Sequence, residues 1–196
     1  IPKTLVRVVV RAGNVDEAPD QIWIADLLGN LLKEGTATLT GEQLAFKAAG
    51  MGGSIDVSVG VNQTSVSLEV LTEFTPQAIA VLGDVLINPL FPQSEVERLK
   101  GDLIRELSIQ QSQPSAIALE KFRGVLYGDH PYGRVFPTEE MIKSFTIEMV
   151  RDFFEKNFGG TRSDLYIVGM FDSKVAKQAA EDAFGSWKTG VKSDPA

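Results

Sequence analysis

Asp26 and Asn30 stand four positions apart in the stretch Ile24-Ala25-Asp26-Leu27-Leu28-Gly29-Asn30, and Glu106 is the other carboxylate of interest. On a helix that spacing puts both side chains on one face, where oxygen ligands could hold a hard cation. Gly29 adds no group between them, and the plain alternative is an ordinary solvated helix face. The chain's 1 histidine is His130, in the loop Gly128-Asp129-His130-Pro131-Tyr132-Gly133. A lone imidazole can act as a base or a ligand. With no partner nearby in sequence, it reads more simply as a hydrogen-bonded anchor.

Other chemistries are excluded by what the chain lacks. With 0 cysteines there is no thiol nucleophile, no iron–sulfur cluster and no thiolate zinc site. One histidine cannot form a two-histidine metal site. Gly50, Gly52 and Gly53 follow a helix and precede a strand, the reverse of a dinucleotide fingerprint, so they read as a helix stop and tight turn. Gly35 to Gly41 lacks the lysine of a phosphate loop, and no Gly-x-Ser-x-Gly elbow exists. The 26 acidic against 19 basic residues give a net charge of −7, with Lys and Arg scattered, so no nucleic-acid partner is expected. The most apolar window, Ala78 to Ile87, is interrupted by Gly83 and Asp84 and is about half the ~20 residues a membrane span needs. Ile1 in place of a starting Met suggests a chain processed or excised from something longer.

The elements that must position these residues follow from periodicity. Val6, Val8 and Val10 alternate with Leu5, Arg7, Val9 and Arg11, predicting an opening strand with its valines inward. Ile24, Leu27, Leu28, Leu31 and Leu32 predict an amphipathic helix stopped at Gly35. Thr40 and Gln43 form a capping-box pattern for a helix over 44–49, and Ser94 with Glu97 suggests a second box. Ile55, Val57 and Val59, then Val66, Leu68 and Val70, predict an antiparallel hairpin turned at Asn62 and Gln63. Helices are expected over 75–88, 94–113 and 117–127, then two capped by Thr138 and Thr146, then a strand over 164–169 and a last helix capped by Asp172 or Ser173. Strands paired by hairpin and helices in runs indicate an α+β fold with a mainly antiparallel sheet packed against several helices. Without repeats or an internal linker, residues 1–187 read as one domain and 188–196 as a polar tail.

The segment from Ile24 to Thr36 resembles the Leu-Ala-His-x-x-Glu-His-x-x-x-x-Gly-Thr segment of the insulinase/pitrilysin family of zinc metallopeptidases, with three residues exchanged. Arg11-Ala12-Gly13, Gly50-Met51-Gly52-Gly53, Asn88-Pro89-Leu90-Phe91, Arg105-Glu106, His130-Pro131-Tyr132-Gly133 and Leu165-Tyr166-Ile167-Val168-Gly169 fall in family order, so the likeness runs from about Thr4 to Trp187. In active members the two histidines and a distant Glu bind zinc and the Glu within the motif activates water. The resemblance puts Asp26 and Asn30 at the histidine positions, Gly29 at the base position, Glu106 at the distant ligand position, and Leu99 where a supporting Glu would stand. It therefore implies a chain with no catalytic residue and no metal of its own, and zinc only in a catalytic partner domain or subunit.

The role implied is a non-catalytic domain of a bacterial zinc protease that walls the peptide chamber and positions substrate. Its partners would be a catalytic family subunit or other domains of the same full-length chain, together with unfolded peptides, and the bacterial periplasm is favoured over the cytoplasm. The edge strand Ser54, Ile55, Asp56, Val57, Ser58 and Val59 is the candidate peptide-binding strand, although it lacks the family's Asn-Ala-type signature. The alternatives are a structural or interaction core subunit without proteolytic role, or an active zinc metalloendopeptidase.

Overall fold

In a computed structural model, residues 2–187 are described, so the polar tail expected at 188–196 lies outside the described residues. The opening valines form β1 (Lys3–Val10), with Val6, Val8 and Val10 buried. The hairpin forms as β2 (Ile55–Val59) and β3 (Thr64–Leu71), and the last strand is β4 (Ser163–Gly169). All neighbours pair antiparallel in the order β2-β3-β1-β4, which leaves β2 at one edge. Register aligns Val6 with Leu68 and Ile167, and Val8 with Val66 and Leu165, so one apolar stripe crosses three strands on a single face.

Among the described residues the helices are α1 (Ile24–Leu31), α2 (Gly41–Gly50), α3 (Thr75–Ile87), α4 (Gln93–Gln111), α5 (Pro114–Tyr127), α6 (Glu139–Ser144), α7 (Ile147–Asn157) and α8 (Ser173–Phe184). Of these α3 packs on β1 and β3, and α1 on β2. This is the α+β fold with a mainly antiparallel sheet that the sequence predicts. In α1, Ile24, Leu27, Leu28 and Leu31 are fully buried and pack toward α4 and α7. Each such side chain stabilises the fold by about 1.5–3 kcal/mol through apolar burial. α1 ends at Leu31, short of Gly35, whose φ of +132° instead serves a bridge to Thr40.

The Thr40 box forms in full: Gln43 N–H donates to Thr40 Oγ1 at 3.2 Å and Thr40 N–H to Gln43 Oε1 at 3.0 Å. Thr138, Thr146 and Asp172 cap α6, α7 and α8. The second expected box does not form. Extended Pro92 takes the cap position, so α4 starts at Gln93, Ser94 falls inside the first turn, and Glu97 pairs with Lys100 at 2.9 Å. Pro is suited to this boundary because it has no N–H to lose.

Candidate functional site

The centre of the site is the side of α1 that faces α4. Asp26 and Asn30 project from α1 four residues apart, and Leu103, Glu106 and Gln110 project from α4; with Trp23 and Asp102 they line one cavity of about 350 Å³. The fold thus brings Asp26 and Asn30 together with Glu106, which is far from both in sequence. The packing of the 19-residue α4 against α1 achieves this.

The face is not the ordinary solvated one that spacing alone suggests. The segment ahead of α1 folds back over it: Asn14 Nδ2 donates to Asp26 Oδ2 at 2.9 Å and to Glu17 Oε1 at 3.1 Å. Glu17 is only 5% exposed and accepts the N–H groups of Trp23 and Ala25, each at 3.0 Å, so it caps α1 from outside the helix. Those N–H groups have no partner within the helix, and a carboxylate at a helix N-terminus is favoured by the macrodipole. Burial nevertheless pushes the Glu17 carboxyl up to about 8, against these donors and with the nearby Asp26 adding to the shift. Burial pushes Asp26 up to about 6, the Asn14 amide opposes, and the Glu106 carboxylate across the cavity adds.

Trp23 and Glu17 carry no local signal in the sequence. Glu17 lies eight positions before Ala25, outside any capping-box spacing, and only the return of the chain reveals its role. Trp23 adopts φ of +72°, in the left-handed region that favours glycine. Its Nε1 donates to Val135 O at 3.1 Å and its ring meets Phe136 edge-on at 6.2 Å, so the segment after His130 holds it. Arg134 closes the same strap by donating to the backbone oxygen of Glu17 at 3.0 Å.

Gly29 is buried beneath the edge strand. A Cβ there would stand 2.7 Å from Val59 Cγ2 and 3.4 Å from Val57 Cγ1, so the hollow left by the missing side chain is filled by β2. Along β2, Ile55, Val57 and Val59 are half-buried against the core, whereas Asp56 and Ser58 are exposed, as is Ser54, which lies just before the strand. Its outer edge pairs with no strand among the described residues. His130 is exposed, accepts the N–H of Tyr132 at 3.2 Å through Nδ1, and packs its ring against Tyr132 at 4.7 Å. Its partners, Tyr127 and Tyr132, lie in or next to its own loop, so it anchors that loop.

The donor set does not fit zinc. Among the described residues no group of three or more His, Asp or Glu is gathered to hold a metal ion. Asp26 is committed to Asn14, Glu106 Oε1 accepts from Gln110 at 2.8 Å, and Gly29 carries nothing that could take a proton from water.

A model of the insulinase family, peptidase family M16, matches residues 2–136. The chain belongs to that family. A model of the peptidase M16 inactive domain matches residues 144–196. Among curated relatives of this M16 chain, an uncharacterized zinc protease of Rickettsia felis is 26% identical over 195 residues, covering 99% of the chain and 47% of that protein. The mitochondrial-processing peptidase subunit beta of Saccharomyces cerevisiae is 26% identical over 189 residues, covering 94% of the chain and 41% of that protein. The fold is shared with a protease from Helicobacter pylori, at a TM-score of 0.90 and 17% identity over 100% of this chain and 48% of that one. Pitrilysin gives a TM-score of 0.85 at 22% identity, over 100% of this chain and 22% of its own. The chain spans about half the length of the curated relatives it matches, at 47% and 46% for two of them.

Proposed function

We propose that this chain is a non-catalytic module of an M16 peptidase, one that walls a peptide chamber and positions substrate for zinc held by another domain or subunit. The observation that carries the reading is the composition of the α1 face. Where zinc hydrolysis needs two imidazoles and a carboxylate base on one helix, this chain has Asp26, Asn30 and Gly29, with Val59 seated over the last. Glu106 alone cannot hold the ion, and nothing here generates hydroxide.

What remains useful to a peptidase is the edge strand. Among the described residues β2 offers unpaired backbone along one side, the feature by which an extended peptide joins a sheet. Seating on α1 keeps that edge in place, so little ordering would be required when a peptide binds. The polar outer residues Asp56 and Ser58 would meet the peptide's flanks and discourage pairing with other chains.

The test is peptide cleavage by the full-length protein and by the family subunit encoded beside it, assayed separately and mixed, with an unstructured peptide and zinc present. This chain's protein is expected to be inactive alone and to raise cleavage in the mixture. A mixture that forms a complex yet cleaves nothing would favour a structural core subunit. Zinc-dependent cleavage by this protein alone, abolished by Glu106→Gln, would overturn the reading.

A further inference from the structure

We propose that the outward face of α5 is a docking surface for a second module of the full-length chain. α5 is amphipathic with its faces reversed. None of its 14 residues is buried. Ala116, Glu120 and Arg123 occupy the half-buried face, and Glu120 lines a cavity with α4 residues Ile104, Leu107 and Ser108. On the opposite face Ala118, Leu119, Phe122, Val125 and Leu126 follow one another at helical spacing toward solvent, with Phe122 61% and Val125 90% exposed. A surface helix ordinarily turns such a stripe inward, and a contiguous exposed one marks a contact surface.

The occupant follows from length and area. Curated relatives are about twice as long as this chain, which covers 47% of one and 46% of another. The face of α5 is about 20 Å long and about 10 Å wide, roughly 200 Å². A stable complex between free partners buries about 800 Å² on each side, so this helix alone would hold a second copy only weakly. A module joined through the same polypeptide meets it at an effective concentration of order mM, and a small apolar face then suffices. A lipid surface fits less well, because Glu120 offsets one of Lys121 and Arg123 and leaves no basic face. The inference rests on family membership and relative length, and is independent of the peptide reading.

Hydroxyl-radical footprinting of the full-length protein tests it, with buried Phe145 and an added free phenylalanine as the two reference rates. Phe122 is expected to react at the slow rate of Phe145, equally at low and high protein concentration. Val125→Asp is expected to restore fast labelling at Phe122 and to split one thermal transition into two. Fast labelling of Phe122 in the unsubstituted protein would overturn the proposal. So would protection that grows with concentration as the mass doubles, which indicates a second copy, or protection that appears only on adding peptide or anionic vesicles.

Discussion

The Cγ2 methyl of Val59 stands 2.7 Å from the place a Cβ on Gly29 would occupy. An edge strand and a helix therefore meet through the one residue of that helix face that has no side chain. Gly29→Ala gains about 1 kcal/mol of helix propensity. It also overpacks a contact with a stiff β-branched side chain, which costs about 1–3 kcal/mol. The single variant should lose about 1 kcal/mol net. Added to Val59→Ala, the same substitution should stabilise, because the methyl it strikes is gone. Denaturant midpoints of the four proteins in this cycle check the sign reversal. Additive effects would mean that β2 does not rest on α1 at this point.

The same contact governs any attempt to install metal. Asp26→His, Gly29→Glu and Asn30→His would supply, with Glu106, three protein ligands and a base. The new side chain at position 29 has to displace Val59. We therefore expect elemental analysis to find no stoichiometric zinc in the natural protein. The triple substitution combined with Val59→Ala should hold about one zinc per chain, and more tightly than the triple substitution alone. Tight zinc in the natural protein would show that the α1 face is not the family's metal position.

Local and repetitive features of this chain are legible in its sequence. The Val6, Val8, Val10 alternation, the Leu27 to Leu31 stripe and the Thr40 and Gln43 box each depend on neighbours within a few residues, and each forms. Ser94 and Glu97 have the same local pattern and fail, because Pro92 begins the helix earlier. At the candidate site, spacing places Asp26 and Asn30 on one face, and the family likeness supplies Glu106. The burial of Asp26, the cap from Glu17, the turn at Trp23 and the Val59 contact are all non-local. They depend on the return of residues 13–17, the approach of β2 and the strap at 134–136, and no residue spacing encodes them.

Glu17 and Asp26 make stability depend on pH in a defined direction. Both carboxyls are raised by burial above their ordinary values of 4.5 and 3.8, Glu17 to about 8 and Asp26 to about 6. Between the ordinary and the raised value the folded state holds more protons than the unfolded one, so stability falls as pH rises. The loss should run from about pH 4 to 6 through Asp26 and, overlapping it, from about pH 4.5 to 8 through Glu17. Glu17→Gln should remove the upper part of that slope. Melting temperatures of both proteins from pH 4 to pH 9 read this directly. A natural protein whose stability rises from pH 6 to 8 would show that Glu17 is ionised throughout.

Trp23 sets two opposing terms against each other at the mouth of the cavity. Its φ of +72° is strained for any residue except glycine and costs about 1–3 kcal/mol. Removing a buried Trp ring costs about 3–5 kcal/mol, and here the ring also loses its edge-on contact with Phe136 and the bond from Nε1 to Val135 O. Trp23→Gly relieves the first term and incurs the second, so it should destabilise by about 2 kcal/mol. Trp23→Phe keeps the strain and most of the packing and loses only the indole hydrogen bond, so its cost should be about 1 kcal/mol. Denaturant unfolding of both variants separates the terms. A Trp23→Gly protein as stable as the natural one would mean that backbone strain, not the ring, dominates here, and that the strap at 134–136 does not depend on Trp23 to hold its place.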